Sequence, residues 1–292
     1  MTEKLGPYIR CQDLFKIYQW EGMEVVALRG LDLEVYAGEF LGIVGSSGSG
    51  KTSLLNILAG LDTPSAGQVT VGQRDLSDMS ERDRVAYRRT EVGFLWQTTS
   101  RNLLSYLTAL ENVELPMAIL GVGAKDRREW SLELLSTLGL TEKSDRLSHQ
   151  LSGGEQQRVA IAVALANKPR MVIADEPTGE LDTQTADEVL QAMQGLCRQY
   201  AVTVIVVTHY EGISRYADRV VQIRDGRIVA ESVVEPSFQQ SRGTVREEYL
   251  VVDRAGRLQL PQESVERLGL SGRVRIVEED NGIVIRPGRR DK

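Results

Sequence analysis

Gly45-Ser46-Ser47-Gly48-Ser49-Gly50-Lys51-Thr52 decides how this chain is read. The stretch fits the phosphate-binding pattern Gly-x-x-x-x-Gly-Lys-Ser/Thr. Its flanks fit as well: Phe40-Leu41-Gly42-Ile43-Val44 is a short apolar run, as a buried strand is, and Ser53 to Ala59 reads as a helix that Gly60 ends. Three glycines let a backbone wrap closely around an anion, because no β-carbon obstructs positive φ. The N–H groups of the loop and of the helix start then face the phosphates. On this pattern Lys51 reaches the β- and γ-phosphates and the Thr52 hydroxyl holds Mg²⁺. A Gly/Ser-rich surface loop is the alternative, but it requires neither the strand before nor the helix after.

Composition bounds the rest. The 292 residues allow one large domain plus a small one, or two of medium size. A formal charge of −6 implies no global polyanion-binding surface, and 41% apolar residues suffice for a sizeable core. Cys11 and Cys197 stand far apart in no metal-ligand spacing, which suits two buried thiols in a reducing compartment. No stretch approaches the ~18 consecutive apolar residues of a membrane span. The first residues lack the apolar centre of a signal peptide. The expectation is a cytosolic chain that can still dock on a membrane partner.

Two strand textures alternate with helical patterns. Tyr8 to Cys11, Glu24 to Leu28 and Leu31 to Val35 read as half-solvated antiparallel strands, the last of them strictly alternating. Met171 to Ala174 and Val202 to Val207 are continuous apolar runs, expected of parallel strands buried on both faces. Helical patterns run from Gln156 to Ala166 and from Ala186 to Gln199. The implied class is α/β, a parallel core joined to an antiparallel β layer. A stretch rich in Leu and Glu, about 98–165, reads as an inserted helical subdomain, with Trp130 to Leu138 at helical spacing. Arg224-Asp225-Gly226-Arg227 supplies a hairpin turn near the end of a first domain, 1–235. Residues 236–245 read as a linker, and 246–292 as a small β-rich unit of four short strands. Asn281-Gly282 marks a turn there, and Gly269 caps a short helix over Gln262 to Leu268. So small a unit, lacking disulfides, struggles to bury a core without a second copy.

Three further signals carry chemistry. Leu151-Ser152-Gly153-Gly154-Glu155 opens a helix, either as a plain capped start or as a second anion-ready N-terminus. Asp175 and Glu176 end an apolar strand, where open α/β sheets bind ligands. They can divide the labour, Asp175 on Mg²⁺ and Glu176 polarising an attacking water. His209 follows the other long apolar strand and could donate to a γ-phosphate.

Together these residues resemble the ATP-binding-cassette (ABC) ATPases, in that family's order, from about Tyr8 to Val234. The resemblance implies the P-loop fold of that family, ATP and Mg²⁺ as ligands, and ATP hydrolysis. It makes Gly45 to Thr52 the phosphate loop and Tyr18 the adenine-stacking aromatic, a packed core tyrosine being the alternative. Gln97 becomes the loop glutamine that senses Mg²⁺ and water. Ser152, Gly153 and Gly154 become the signature that touches the nucleotide of the opposite protomer. Asp175 and Glu176 become the metal-binding aspartate and the catalytic glutamate, Leu181-Asp182 the dimer-crossing loop, and His209 the switch histidine. Glu180 departs from the small residue common before Leu-Asp, and Val163 stands where relatives often carry Arg.

Ser49 to Asp62 and Leu107 to Pro116 resemble the branch that serves MacB- and LolD-type permeases. That resemblance implies a homodimer, peripheral on the cytoplasmic face of the membrane. It would drive a separate MacB/FtsX-type permease in export, lipoprotein extraction or mechanotransmission. Thr98 to Asn102 departs from the usual continuation of the glutamine loop. Asp253 to Pro261, with the short helix and hairpin that follow, resembles the AbrB-type swapped-hairpin domain, which implies an intertwined dimer, often DNA-binding. Ten Arg/Lys against nine Asp/Glu over 246–292 argue against a phosphate-tracking surface and favour a dimerisation clamp. A non-transport ABC ATPase or regulator with a DNA-binding tail is the other reading.

Overall fold

The computed structural model describes residues 6–98, 101–235, 245–270, 274–279 and 282–287. The chain begins with β1 (Ile9–Trp20), β2 (Met23–Val35), β3 (Phe40–Val44), α1 (Lys51–Leu58), β4 (Ala66–Val71) and β5 (Arg74–Asp75). There follow α2 (Glu81–Thr90), β6 (Val92–Leu95), α3 (Ala109–Ile119), α4 (Ala124–Thr137) and α5 (Gly153–Leu165). Next come β7 (Met171–Asp175), α6 (Thr183–Tyr200), β8 (Thr203–Val207), β9 (Arg219–Arg224), β10 (Arg227–Glu235) and β11 (Val245–Leu250). The last elements are α7 (Gln262–Arg267), β12 (Val274–Glu279) and β13 (Gly282–Pro287).

A seven-stranded sheet in the order β11-β10-β9-β3-β8-β7-β6 is the centre of the first unit. Its strands β9, β3, β8, β7 and β6 run parallel, and β10 turns back antiparallel to β9. The continuous apolar runs follow from burial on both faces. Met171 and Ile173, like Ile205 and Val207, enter the core shared with α1 and the β1–β2–β4 layer. Val172 and Ala174, like Val204 and Val206, enter the core shared with α3 to α6. The second sheet, β2-β1-β4-β5, is antiparallel and alternates between buried and exposed side chains, as expected of a layer wet on one face.

The structure departs from the sequence expectations at several points. Glu24–Leu28 and Leu31–Val35 are not two strands but one, β2, continuous through Gly30 at φ +70°, where a β-carbon would lie 2.8 Å from Asp13 Oδ1. An irregular register opposite, between Cys11 and Phe15, absorbs the kink. The sequence reading leaves α2 and β4 without an assignment. In the small unit, the first two expected strands reduce to one bridge, Val252 to Leu258, while β12 and β13 pair as expected. Asn281 of the expected turn and 236–244 of the expected linker lie outside the described residues. Strand β11 extends the large sheet, so the compact units divide between Tyr249 and Leu250 rather than at 245/246.

Candidate functional site

The phosphate loop is shaped by close approaches that only glycine allows. A β-carbon on Gly45 would sit 2.2 Å from the Ile223 carbonyl oxygen, and one on Gly50 2.4 Å from that of Ala27. Gly48, at φ +75°, faces open space. Gly50 is the N-cap of α1 and offers no side chain there, so the first N–H groups of the helix stay available. Lys51 is buried, its Nζ donating to the carbonyl oxygens of Gly45 at 2.8 Å and Ser46 at 2.9 Å. Burial pulls its ammonium below the ordinary lysine value, and the charges of Glu176 and Asp175 act in the opposite direction.

Strands β7 and β8 bring the carboxylates and the histidine to the same sheet edge. Asp175 pairs with Val207, and the Glu176 N–H donates to the Val207 carbonyl at 2.8 Å. Glu176 leaves the strand at φ +49°, a left-handed conformation uncommon outside glycine. Its Oε2 accepts from the His209 backbone N–H at 3.1 Å, and its Oε1 lies 3.3 Å from His209 Nε2. Thr52 Oγ1 is 3.5 Å from Asp175 Oδ2. Burial pushes the Asp175 carboxyl up, Glu176 adds to the rise, and Thr52 and Lys51 offset part of it.

The other expected site residues fall into two groups. Leu95 pairs with Ala174, so the parallel register carries exposed Gln97 to the edge where Glu176 stands. Tyr18 is 37% exposed, neither a packed core tyrosine nor a free one, and its hydroxyl lies 3.3 Å from Ser53 Oγ on α1. Ser152, Gly153 and Gly154 instead group with the loop before α6. Ser152 caps α5 reciprocally with Glu155. A β-carbon on Gly154 would meet Thr185 Cγ2 at 2.4 Å, and one on Gly153 would touch Leu181 Cδ2 at 3.4 Å. Asp182 caps α6 through the Thr185 N–H at 3.0 Å. Glu180 and Asp182 are exposed.

Residues that sequence reasoning missed hold the His209 loop. Tyr210 Oη donates to Asp187 Oδ1 at 2.9 Å, and Arg215 Nη2 donates to the same oxygen at 2.7 Å. Gly212 lies beneath the Tyr210 ring, where a β-carbon would be 2.2 Å from Cε1. The contact joins residues 23 apart on different elements, so local patterning carries no sign of it.

The site fits a nucleoside triphosphate with a hard cation. The glycines leave a bare cradle, Ser49 Oγ is buried without a hydrogen-bond partner, and Thr52 with Asp175 supplies oxygen donors of the type Mg²⁺ takes. Residues 28–179 match the family model described as ABC transporter. The chain belongs to the ABC transporter ATP-binding family.

This cassette is 44% identical to the lipoprotein-releasing system ATP-binding protein LolD 2 of Caulobacter vibrioides, over 78% of this chain and 99% of that one. It is 45% identical to the macrolide export ATP-binding/permease protein MacB of Syntrophobacter fumaroxidans, over 77% of this chain but only 31% of that one. Among solved structures, a dimeric post-hydrolysis state of the ATP-binding cassette MJ0796 bound to ADP and Pi superposes with a TM-score of 0.70. It is 36% identical, covering 78% of this chain and all of that one. The cassette is thus an ATP-binding subunit of an ABC transporter, an ATPase that uses ATP with Mg²⁺. Among the described residues no helix is long and apolar enough to cross a membrane.

Proposed function

We propose that two copies of this cassette close around two ATP molecules and drive a separate MacB/LolD/FtsX-type permease at the cytoplasmic face of the membrane. The carrying observation is the division of the site. Lys51, Thr52, Asp175, Glu176 and His209 converge, whereas Ser152 to Gly154 pack beside Leu181 and Thr185. A helix N-terminus that leaves Ser152 and Gly153 exposed suits a triphosphate held by a second copy. In this reading Tyr18 stacks on adenine, and the loop N–H groups with Lys51 stabilise charge on the γ-phosphoryl oxygens. Gln97 and Glu176 orient the attacking water, Glu176 as its base, while His209 donates to the γ-phosphate. Thr52 and Asp175 would hold Mg²⁺, which would supply charge neutralisation to the triphosphate.

The permease class rests on the relatives. LolD 2 is matched along nearly its whole length, and MacB, whose name joins ATP-binding and permease parts, over 31% of it. Export, lipoprotein release or mechanotransmission is the work such a pair performs. The AbrB-like tail acts as a dimerisation clamp. Leu270 is the one buried side chain described in it, and the face of the β12–β13 hairpin bearing Val274, Ile276 and Ile283 is exposed.

The Glu176→Gln variant tests the engine. Turnover should fall about 10²- to 10⁴-fold while an ATP-bound dimer accumulates on size exclusion. Undiminished ATPase would remove Glu176 from its role. Purification of the tagged cassette from membranes tests the permease: recovery of a spanning chain of that type is expected, and a purely soluble partner overturns it.

A further inference from the structure

Lys16 is a buried cation for which the phosphate chemistry has no use. It is only 8% exposed, and its Nζ donates to Asp62 Oδ1 at 2.6 Å and to the Thr63 carbonyl at 2.9 Å. The second oxygen of the same carboxylate, Oδ2, accepts from the Tyr18 hydroxyl at 3.0 Å. The Lys16 ammonium also stands 4.8 Å from the Tyr18 ring centroid, within cation–π range. Burial works against ionisation of Asp62, but hydrogen bonds from Lys16, Thr63 and Tyr18 outweigh it and hold the carboxyl below the usual range.

Asp62 is itself fixed to the phosphate-loop helix. The N–H groups of Leu61 and Asp62 both donate to the Asn56 carbonyl, at 2.8 and 3.1 Å, folding the segment back on α1. Helix α1 therefore carries Lys51 at its start and, just past its end, the carboxylate that restrains Tyr18. Near the start of the helix, Ser53 Oγ gives the same hydroxyl a second neighbour. A buried ion pair serving stability alone needs only an ammonium and a carboxylate, and is often no better than apolar packing. Here both members of the pair also touch Tyr18, Asp62 through the hydroxyl and Lys16 over the ring, and that tyrosine remains 37% exposed.

We propose that Asp62, braced by Lys16, is a positioning residue for the nucleotide base: it holds the Tyr18 ring at a fixed offset from the phosphate loop, so that the platform for adenine exists before ATP arrives. The proposal rests on the reading of Tyr18 as the base-stacking residue. Preorganisation of this kind removes the cost of ordering a side chain at binding. It acts on the base and not on the phosphates.

Steady-state ATPase kinetics of the full chain test it, with inorganic tripolyphosphate as a competing ligand that has no base. Asp62→Asn should raise the KM for ATP about three- to tenfold, by more than kcat falls, with the inhibition constant of tripolyphosphate unchanged. Asp62→Asn also loosens Lys16, so Tyr18→Phe, which keeps the Lys16–Asp62 pair and the ring, is the second arm and should raise KM in the same direction. A parallel weakening of tripolyphosphate would mark a general structural role and overturn the proposal. Tyr18→Ala separates the two levels. If it raises KM while Tyr18→Phe and Asp62→Asn do not, the positioning role falls and the base platform stands. If Tyr18→Ala leaves KM unchanged, the reading of Tyr18 falls first.

Discussion

Glu176 and His209 are joined twice, once through the His209 backbone N–H to Oε2 at 3.1 Å and once through Nε2 to Oε1 at 3.3 Å. The carboxylate is mostly covered, at 14% side-chain exposure, while the imidazole is 57% exposed. Glu176 is therefore oriented by the backbone of the His209 loop, and the imidazole has room to turn from the carboxylate toward a phosphate. His209→Ala removes the imidazole but leaves the backbone contact. Its kcat should drop about 10²-fold with a much smaller change in KM. Adding Glu176→Gln should lower kcat by much less than the product of the two single effects, since the two groups act as a unit. Multiplicative losses in the double variant would contradict that coupling.

Gly154→Ala probes the other half of the composite site. The new β-carbon would meet Thr185 Cγ2 at 2.4 Å, and Thr185 cannot rotate freely because its Oγ1 donates to Asp182 Oδ2 at 2.6 Å. Relief of the clash pulls on the cap of α6, a buried overpacking worth about 1–3 kcal/mol. Thermal denaturation should show that loss. ATPase should fall further than stability explains, while binding of a fluorescent ATP analogue to the isolated protomer stays near wild type, because Gly154 packs against Thr185 of α6. Weakened binding to the protomer would place the signature in the wrong half-site.

Legibility in the sequence followed the range of each interaction. Gly45 to Thr52 and the Ser152–Glu155 capping box are local, and both are found where patterning puts them. The contrast between alternating β2 and continuous β7 and β8 marked which strands are wet on one face. Helix α2 escaped because it is nearly all polar: only Tyr87 is buried, its hydroxyl donating to the Leu58 carbonyl at 2.7 Å. Its local signals were all at its ends: Ser80, whose side chain accepts from the Asp83 N–H, Glu81 and Asp83 in the first turn, and Arg88 and Arg89 in the last. The Lys16–Asp62–Tyr18 cluster and the Asp187 anchor of the His209 loop span 46 and 23 residues, and no periodicity encodes such meetings. Strand β11 adds to the edge of the large sheet beside β10, against the expectation of a domain boundary before it.

The two cysteines should be inert in the folded cassette. Burial pushes the Cys11 thiol to about 12, with the Asp32 charge adding to it, and the Cys197 thiol to about 11. Cys197 Sγ also donates to the Gly38 carbonyl at 3.3 Å. The thiolate is the reactive form, so at pH 8 the native fraction available is of order 10⁻³ or less. Iodoacetamide at pH 8 should label neither residue in the native protein and both in denaturant. Rapid native labelling of Cys11 would mean that the antiparallel layer opens far more readily than its burial indicates.

Pairing of the tails should set the concentration at which two cassettes meet. Directly paired residues of an antiparallel ladder share a face, and Ile276 pairs with Ile285. Val274, Ile276, Ile283 and Ile285 therefore lie on one side of the hairpin, and three of them are exposed, Ile276 at 63% and Ile283 at 68%. A two-stranded hairpin is marginal alone in water, and covering this face with the same face of a second tail removes both problems. Joined tails would hold two cassettes at an effective concentration of order millimolar, so ATP-driven closure becomes intramolecular. Full-length protein should then be a dimer without nucleotide, and its specific activity should stay flat on dilution. The double variant Ile276→Asp, Ile283→Asp should be monomeric without ATP, and its specific activity should fall with dilution toward second-order behaviour. Because both changes lie outside the cassette, activity should return at high protein concentration. A variant that remains a nucleotide-free dimer would show that pairing resides elsewhere in the chain.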